Sequence, residues 1–235
     1  MSTNAGPIIK MKTLILEKLK NRLIVSCQAK EGEPLRDPII MAKMATAALI
    51  GGAGAIRAAG LDDIKAIKAF NDTIVIGLIK KDYPDSEVYI TPTKQEVRKL
   101  LESGCEIIAL DGTNRRRPKQ ESLVGLISLI HAENRLAMAD ISNFEEAVMA
   151  QQAGADFVST TLSGYTAYTK KQRGPDLKLL SKCVKKLQIP VLAEGRIRNP
   201  RDLKRVLAKK PFAVVIGTAI TRPSEITKTF VECFK

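Results

Sequence analysis

The chain has 235 residues, 45% of them hydrophobic and 27% charged, with a formal net charge of +13. That length allows one large domain or two small ones, and the composition excludes a low-complexity or collagen-like chain. No apolar run approaches a membrane span. The N-terminus lacks the basic, apolar and small-residue order of a secretory signal. Cys27, Cys105, Cys183 and Cys233 form no CxxC pair, so reduced thiols in a cytoplasmic protein are expected.

The positive charge admits three partners: nucleic acid, an anionic membrane or a phosphorylated small molecule. Basic residues are spread along the chain, many on helical stretches such as Lys178, Lys182, Lys185 and Lys186, and the longest cluster is Arg115–Arg117. Aromatic residues are only 4%, without an RNA-binding aromatic motif. Solvated helix faces are therefore expected, with no nucleic acid and no membrane partner. His131 is the only histidine and lies in an expected helix over 121–133. Without a Cys/His cluster no metal is expected, and acid–base chemistry falls to Lys, Asp, Glu, Tyr or water.

Taken in order, residues 1–20 are expected to form a leader with a short amphipathic helix around Leu14–Leu19, ahead of a single domain over 21–235. Leu23–Ser26 predicts the first strand, leading to Cys27 and Gln28. Asp37-Pro38 is a cap followed by a first-turn proline, opening a helix to about Leu49. Ala55-Ile56 predicts a short second strand ending in Arg57, and Leu61–Phe70 a helix. Ile74–Ile79 is a continuous apolar run with one glycine, as in a strand buried on both faces, and Lys80 follows it. Residues 82–91 make an unusually long connection, the kind that often carries function. Thr93-x-x-Glu96 is a capping box for the next helix.

Ile107–Leu110 predicts the fourth strand, ending at Asp111, and Leu136–Ala139 the fifth, ending at Asp140. Ser142-x-x-Glu145 reads as a second capping box. Phe157–Ser159 predicts the sixth strand, ending at Thr160 and Thr161, before a polar loop holding Gly164, Tyr165 and Tyr168. A helix runs from Pro175 to about Leu187, and Pro190–Ala193 predicts the seventh strand, ending at Glu194-Gly195. Asn199-Pro200 opens another helix. Ala213–Ile216 predicts the eighth strand, ending at Gly217, and the last helix spans Pro223 to about Phe234.

Strand–helix alternation implies a parallel sheet with right-handed crossovers. Eight units close naturally into an α/β (β/α)8 TIM barrel, whose site lies at the C-terminal ends of the strands. A flavodoxin-like or doubly wound open sheet is the alternative, but eight units exceed its usual count. In a barrel Gln28, Arg57, Lys80, Asp111, Asp140, Thr160, Thr161, Glu194 and Gly217 converge on one mouth. Barrels commonly hold phosphate on backbone N–H groups after strands seven and eight. Here those loops are Glu194-Gly195-Arg196 and Gly217-Thr218-Ala219-Ile220-Thr221-Arg222-Pro223, with Arg222 able to add a bidentate contact.

The segments Leu23–Gln28, Ala55–Arg57, Ile76–Lys80, Tyr89–Thr93, Ile108–Asp111, Met138–Ile141, Ser159–Thr166, Ala193–Ile197 and Ala219–Pro223 resemble the bacterial N-acetylmannosamine-6-phosphate 2-epimerases. The resemblance covers nearly the whole chain after residue 20. Two departures are Gly112, where that family more often has alanine and where no harm is expected, and Thr218, which replaces a second glycine but keeps its backbone N–H. The resemblance implies a cofactor-independent, cytoplasmic, usually homodimeric enzyme of amino-sugar and sialic-acid catabolism. It would interconvert N-acetylmannosamine 6-phosphate and N-acetylglucosamine 6-phosphate. It puts the catalytic lysine at Lys80 and the catalytic glutamate at Glu194, with sugar contacts at Gln28, Arg57, Asp140 and Arg222.

The residues agree with that chemistry on their own terms. Inversion at C2 beside an open-chain aldehyde needs removal of an α proton, and neutral Lys80 can take it if burial and Arg57 lower its pKa. Thr160, Thr161 and Tyr165 are expected to reach the N-acetyl group or cover the site. Gly195, Arg196, Gly217 and Thr218 join Arg222 around the phosphate. Two rivals remain open at this level. One is a Schiff-base aldolase using Lys80; the other is a sugar-phosphate-binding or RNA-binding protein without turnover.

Overall fold

The computed structural model describes residues 5–29 and 31–234, with side chains from Lys10 onward. Eight parallel strands close into a barrel in sequence order: β1 (Leu23–Cys27), β2 (Ala55–Ala59), β3 (Val75–Leu78), β4 (Ile107–Asp111), β5 (Leu136–Asp140), β6 (Phe157–Ser159), β7 (Val191–Glu194) and β8 (Ala213–Ile216). The seam is β1 on β8, where Ile24 pairs with Val215. The expected (β/α)8 barrel is thus the fold.

Strand period sets what faces where. Residues two apart share a face, and the buried apolar residues divide accordingly. Ile24, Ala55, Ile74, Ile76, Leu78, Ile107, Ala109, Leu136, Met138, Phe157, Leu192, Ala213 and Val215 fill the barrel interior as one cluster. Their neighbours Val25, Ile56, Val75, Ile108, Ala137, Val158, Val191 and Val214 pack outward under the helices. Continued upward, the inward parity reaches Ser26, Arg57, Lys80, Asp111, Asp140, Ser159, Thr161, Glu194 and Gly217. An apolar floor therefore carries a polar mouth.

The outer helices are α2 (Pro38–Ile50), α3 (Leu61–Phe70), α4 (Lys94–Leu101), α5 (Leu123–Ala132), α6 (Phe144–Gln152), α7 (Leu177–Lys186), α8 (Pro200–Leu207), the short α9 (Thr218–Thr221) and α10 (Pro223–Val231). Their starts follow local chemistry. Asp37 caps α2 by accepting from the N–H groups of Ile39 and Ile40, Thr93 and Glu96 make the capping box of α4, and Asn199 caps α8 ahead of Pro200. The box of α6 is one residue later than expected. Asn143 is the cap and Glu146 its partner, because Ser142 is still extended loop whose N–H and hydroxyl both donate to Glu146.

The N-terminal helix is longer than the Leu14–Leu19 expected. As α1 (Ala5–Leu19) it runs under the N-terminal end of the barrel, where Ile15 and Leu19 join the interior cluster. Lys12 Nζ reaches Asp156 at 2.5 Å, and the N–H of Asn21 donates to the carbonyl of Phe212 at 2.7 Å. Within the expected leader, Ala5–Leu19 is thus a helix that plugs the lower end of the barrel. Among the described residues no helix is long and apolar enough to cross a membrane.

Glycine fits at position 112, as expected, and the space around it is tight. A Cβ there would lie 2.8 Å from Ala139 Cβ and 3.1 Å from the Asp140 carbonyl oxygen. Alanine is not neutral at this position, because a backbone or core methyl must move to admit it.

Candidate active site

Arg57 is the centre of the mouth. The sequence suggests that it ends β2; in the structure the strand continues to Ala59, so Arg57 lies mid-strand and points into the barrel. It is 1% exposed and is one of the largest fully buried side chains. Its Nη1 and Nη2 donate to Asp140 Oδ1 and Oδ2 at 3.1 and 2.6 Å, and Nη1 is also 3.0 Å from Glu194 Oε2. Burial alone would lower its pKa, but the charges of Asp140 and Glu194 outweigh that and hold the guanidinium charged.

The Glu194 side chain ends β7 and is 15% exposed. Its carboxyl is pushed above the usual range chiefly by burial; Arg57 pulls it down, Asp140 pushes it up and Lys80 pulls it down. Lys80 follows β3 and Glu194 ends β7, so both stand at the C-terminal end of the parallel barrel. Lys80 itself is exposed, so burial is not the lever the sequence reading assigned to it. Its position is set by an antiparallel excursion of the chain. Lys80 bridges Ile90, the N–H of Lys81 donates to the Tyr89 carbonyl at 2.9 Å, and Thr91, at φ 44°, closes the excursion through its N–H to Ile79.

The two threonines open a 3-10 turn directly after β6 and point to different sides. Thr161 Oγ1 points into the mouth, 2.7 Å from Asp140 Oδ1 and 2.9 Å from Glu194 Oε2. Thr160 faces away and ties β6 to β7, donating to the Glu194 carbonyl at 2.9 Å and accepting from its N–H at 3.1 Å. Thr160 therefore shapes the site and does not line it. Gln28 Nε2 donates to Ser26 Oγ at 2.9 Å on the β1 side.

The expected phosphate loops have suitable backbones. Gly195 and Arg196 follow one another at φ 110° and 56°, a sharp turn after β7 that glycine permits. The Arg196 guanidinium is used elsewhere. It donates to the carbonyls of Gly174 and Ser163 at 2.9 and 2.6 Å and lies 5.1 Å from the Tyr165 ring centroid. It fixes the loop after β6, and Tyr165, largely exposed, caps it. Gly217 precedes α9, and a Cβ there would lie 3.2 Å from Ser26 Cβ, so glycine brings β8 close to β1. Thr218 is the first residue of α9 with its N–H at that end. Arg222 forms an ion pair with Glu33, from the loop after β1.

Sequence reasoning missed Tyr89, Arg115 and Glu33. Burial and the charges of Asp140 and Asp111 push the Tyr89 phenol up to about 12, with Arg115 and Arg57 opposing. Arg115 Nη2 donates to Asp111 Oδ2 at 2.7 Å and Nε to Thr113 Oγ1 at 3.0 Å. All three lie on loops, where strand parity gives no signal. Among the described residues no group of three or more His, Cys, Asp or Glu side chains could hold a metal ion.

A closed (β/α)8 barrel that gathers a lysine, arginines and carboxylates at the C-terminal ends of its strands has the architecture of a barrel enzyme. Residues 41–235 match the family model described as "Putative N-acetylmannosamine-6-phosphate epimerase", and the chain belongs to that family. A relative in Clostridioides difficile named "Putative N-acetylmannosamine-6-phosphate 2-epimerase" is 55% identical over 221 residues, covering 94% of this chain and 99% of its own. The solved structure of the N-acetylmannosamine-6-phosphate 2-epimerase from Clostridium perfringens superposes with a TM-score of 0.92 at 51% identity, covering 93% of this chain and 96% of the other. A thiamine phosphate pyrophosphorylase from Pyrococcus furiosus, TM-score 0.63 and 20% identical over 91% of this chain and 93% of the other, shares the fold.

Proposed function

We propose that this protein interconverts N-acetylmannosamine 6-phosphate and N-acetylglucosamine 6-phosphate by moving a proton at C2, without an organic cofactor. The observation that carries the reading is the placement of an exposed lysine, Lys80, and a largely buried carboxyl, Glu194, at the C-terminal ends of two barrel strands. Both are found in a chain 51% identical to a solved 2-epimerase. In the open-chain sugar the Lys80 amine takes the C2 proton. The C–H electron pair flows into the C1 carbonyl, and its oxygen becomes an enolate that Glu194, as an acid, protonates. Reversal with the proton returned to the other face of C2 gives the epimer. Arg57 and Asp140 form the charged floor beneath, and Gln28, Thr161 and Tyr165 border the sugar.

The test is NMR of N-acetylmannosamine 6-phosphate with the protein in D2O. The C2 epimer should accumulate, and borohydride should trap no sugar on Lys80; a trapped adduct would favour the aldolase reading.

The phosphate is assigned to the Gly195-Arg196 and Gly217-Thr218 backbone, with Arg222 supplying charge. Arg222 then exchanges Glu33 for the phosphate when substrate binds. Arg222→Ala is expected to weaken binding of 6-phosphorylated sugars by about 1.5–3 kcal/mol, the value of a charge-assisted hydrogen bond. An unchanged KM and kcat would remove Arg222 from the phosphate site.

A homodimer and a cytoplasmic setting complete the reading. No residue of α10 is buried, and Phe230, Val231 and Phe234 are 67%, 50% and 91% exposed, an apolar face suited to a second copy. Light scattering at micromolar concentration should give twice the chain mass, and a monomer would count against this. The four cysteines are unpaired, as in a reducing compartment. Burial pushes the Cys27 and Cys183 thiols up to about 12 and Cys105 to about 11, which keeps them inert.

A further inference from the structure

Thr161 has one hydroxyl proton and two carboxyl oxygens within hydrogen-bond distance, Asp140 Oδ1 at 2.7 Å and Glu194 Oε2 at 2.9 Å. A hydroxyl donates once and otherwise accepts. If both carboxyls were ionised, whichever one did not receive that proton would face an oxygen lone pair at contact distance. Ser159 Oγ, 2.9 Å from Thr161 Oγ1 and 3.5 Å from Glu194 Oε2, adds one more hydroxyl proton on the Glu194 side. Arg57 cannot balance the pair either. It is one cation between two carboxyls, and its two donated hydrogen bonds in the cluster both go to Asp140.

The distances are satisfied when one more proton is present. We infer that the resting site stores a proton on Glu194, donated to Thr161 Oγ1, while the Thr161 hydroxyl donates in turn to ionised Asp140. Thr161 is then a positioning residue for the acid of the site. When Glu194 gives its proton to a substrate oxygen and becomes a carboxylate, the hydroxyl swings from Asp140 to Glu194 and satisfies the new charge. The proton count is unchanged within the wire except for the one passed to substrate. This deepens the epimerase reading and rests on it for the identity of that substrate.

The direction of the Thr161 effect is diagnostic. A hydroxyl that donates to ionised Glu194 favours the anion, whereas one spent on Asp140 accepts from Glu194 and favours the acid. The charged groups facing Glu194 are Arg57 from β2, Lys80 after β3 and Asp140 from β5, and all three are unchanged in a Thr161 variant.

The experiment is an infrared pH titration of the protonated-carboxyl C=O band, without substrate, on wild type, Glu194→Gln, Thr161→Val and Thr161→Ser. Wild type should show a band that persists above the ordinary carboxylate range and is absent from Glu194→Gln. In Thr161→Val its midpoint should fall by on the order of one pH unit, the size of one hydrogen bond to a charged group, and Thr161→Ser should restore it. With N-acetylmannosamine 6-phosphate, the alkaline limb of kcat should move down in the valine variant and return in the serine variant. A missing band, a band retained in Glu194→Gln, or a midpoint that rises or stays in Thr161→Val would overturn the stored proton. A normal infrared titration in a protein that fails to epimerise the sugar would instead overturn the substrate assignment alone.

Discussion

Lys80→Ala is expected to lose at least about a hundredfold in kcat, the low end for removing a general base, with its fold intact. The second half of that statement comes from exposure. Lys80 lies at the rim on the antiparallel excursion, and replacing a surface side chain usually changes stability by less than about 0.5 kcal/mol. A melting temperature equal to wild type beside a collapsed kcat would therefore isolate the chemistry. Phosphosugar binding should persist through Arg222 and the loop amides. In D2O the wild-type product should carry deuterium at C2, because an exposed ammonium exchanges with solvent between abstraction and return. The alanine variant should wash in deuterium no faster than its residual turnover. A Lys80→Ala protein that epimerises near the wild-type rate would pass the role of base to Glu194.

The second large effect is the reverse kind: Arg57→Ala should damage both stability and activity. Arg57 is buried against Asp140, which is 0% exposed, and its Nη1 lies 3.0 Å from Glu194 Oε2. Removing one partner of a buried pair leaves an uncompensated charge and typically costs about 3–5 kcal/mol. A melting temperature unchanged at neutral pH would mean that the guanidinium does not carry the mouth, and would weaken every role built on it.

The eight strands were legible because parallel strands buried on both faces appear as short apolar runs, and because helix starts carry their own chemistry at Asp37, Thr93 and Asn199. The mouth was legible for the same reason: in a barrel the residue that ends an apolar run is the residue at the rim. Two local paths were not legible. The 3-10 turn after β6 sends Thr161 inward and Thr160 outward, and β2 runs two residues past Arg57, because Ala58 and Ala59 look too featureless to extend a strand that ends in a charge. Tyr89, Arg115 and Glu33 reach the site from loops whose paths depend on partners far away in sequence, such as Ser86 Oγ on the carbonyl of Arg116 at 2.7 Å. The Arg196 guanidinium was misread for the opposite reason: its neighbourhood was right, but a loop carbonyl 33 residues away had already claimed it.

The plug at the barrel floor has a consequence for the order of assembly. Helix α1 is the first element of the chain, yet its partners span the rest of it. Lys12 meets Asp156 across 144 residues, and Ile15 and Leu19 share a cluster with strands from β1 to β8. Such contacts close long loops, which cost entropy before they return anything. The surface α1 needs does not exist until β8 has joined β1. The helix is thus expected to seat late, after the sheet on which it docks has closed. Its docking reports ring closure, so hydrogen exchange in α1 should record the moment the barrel completes.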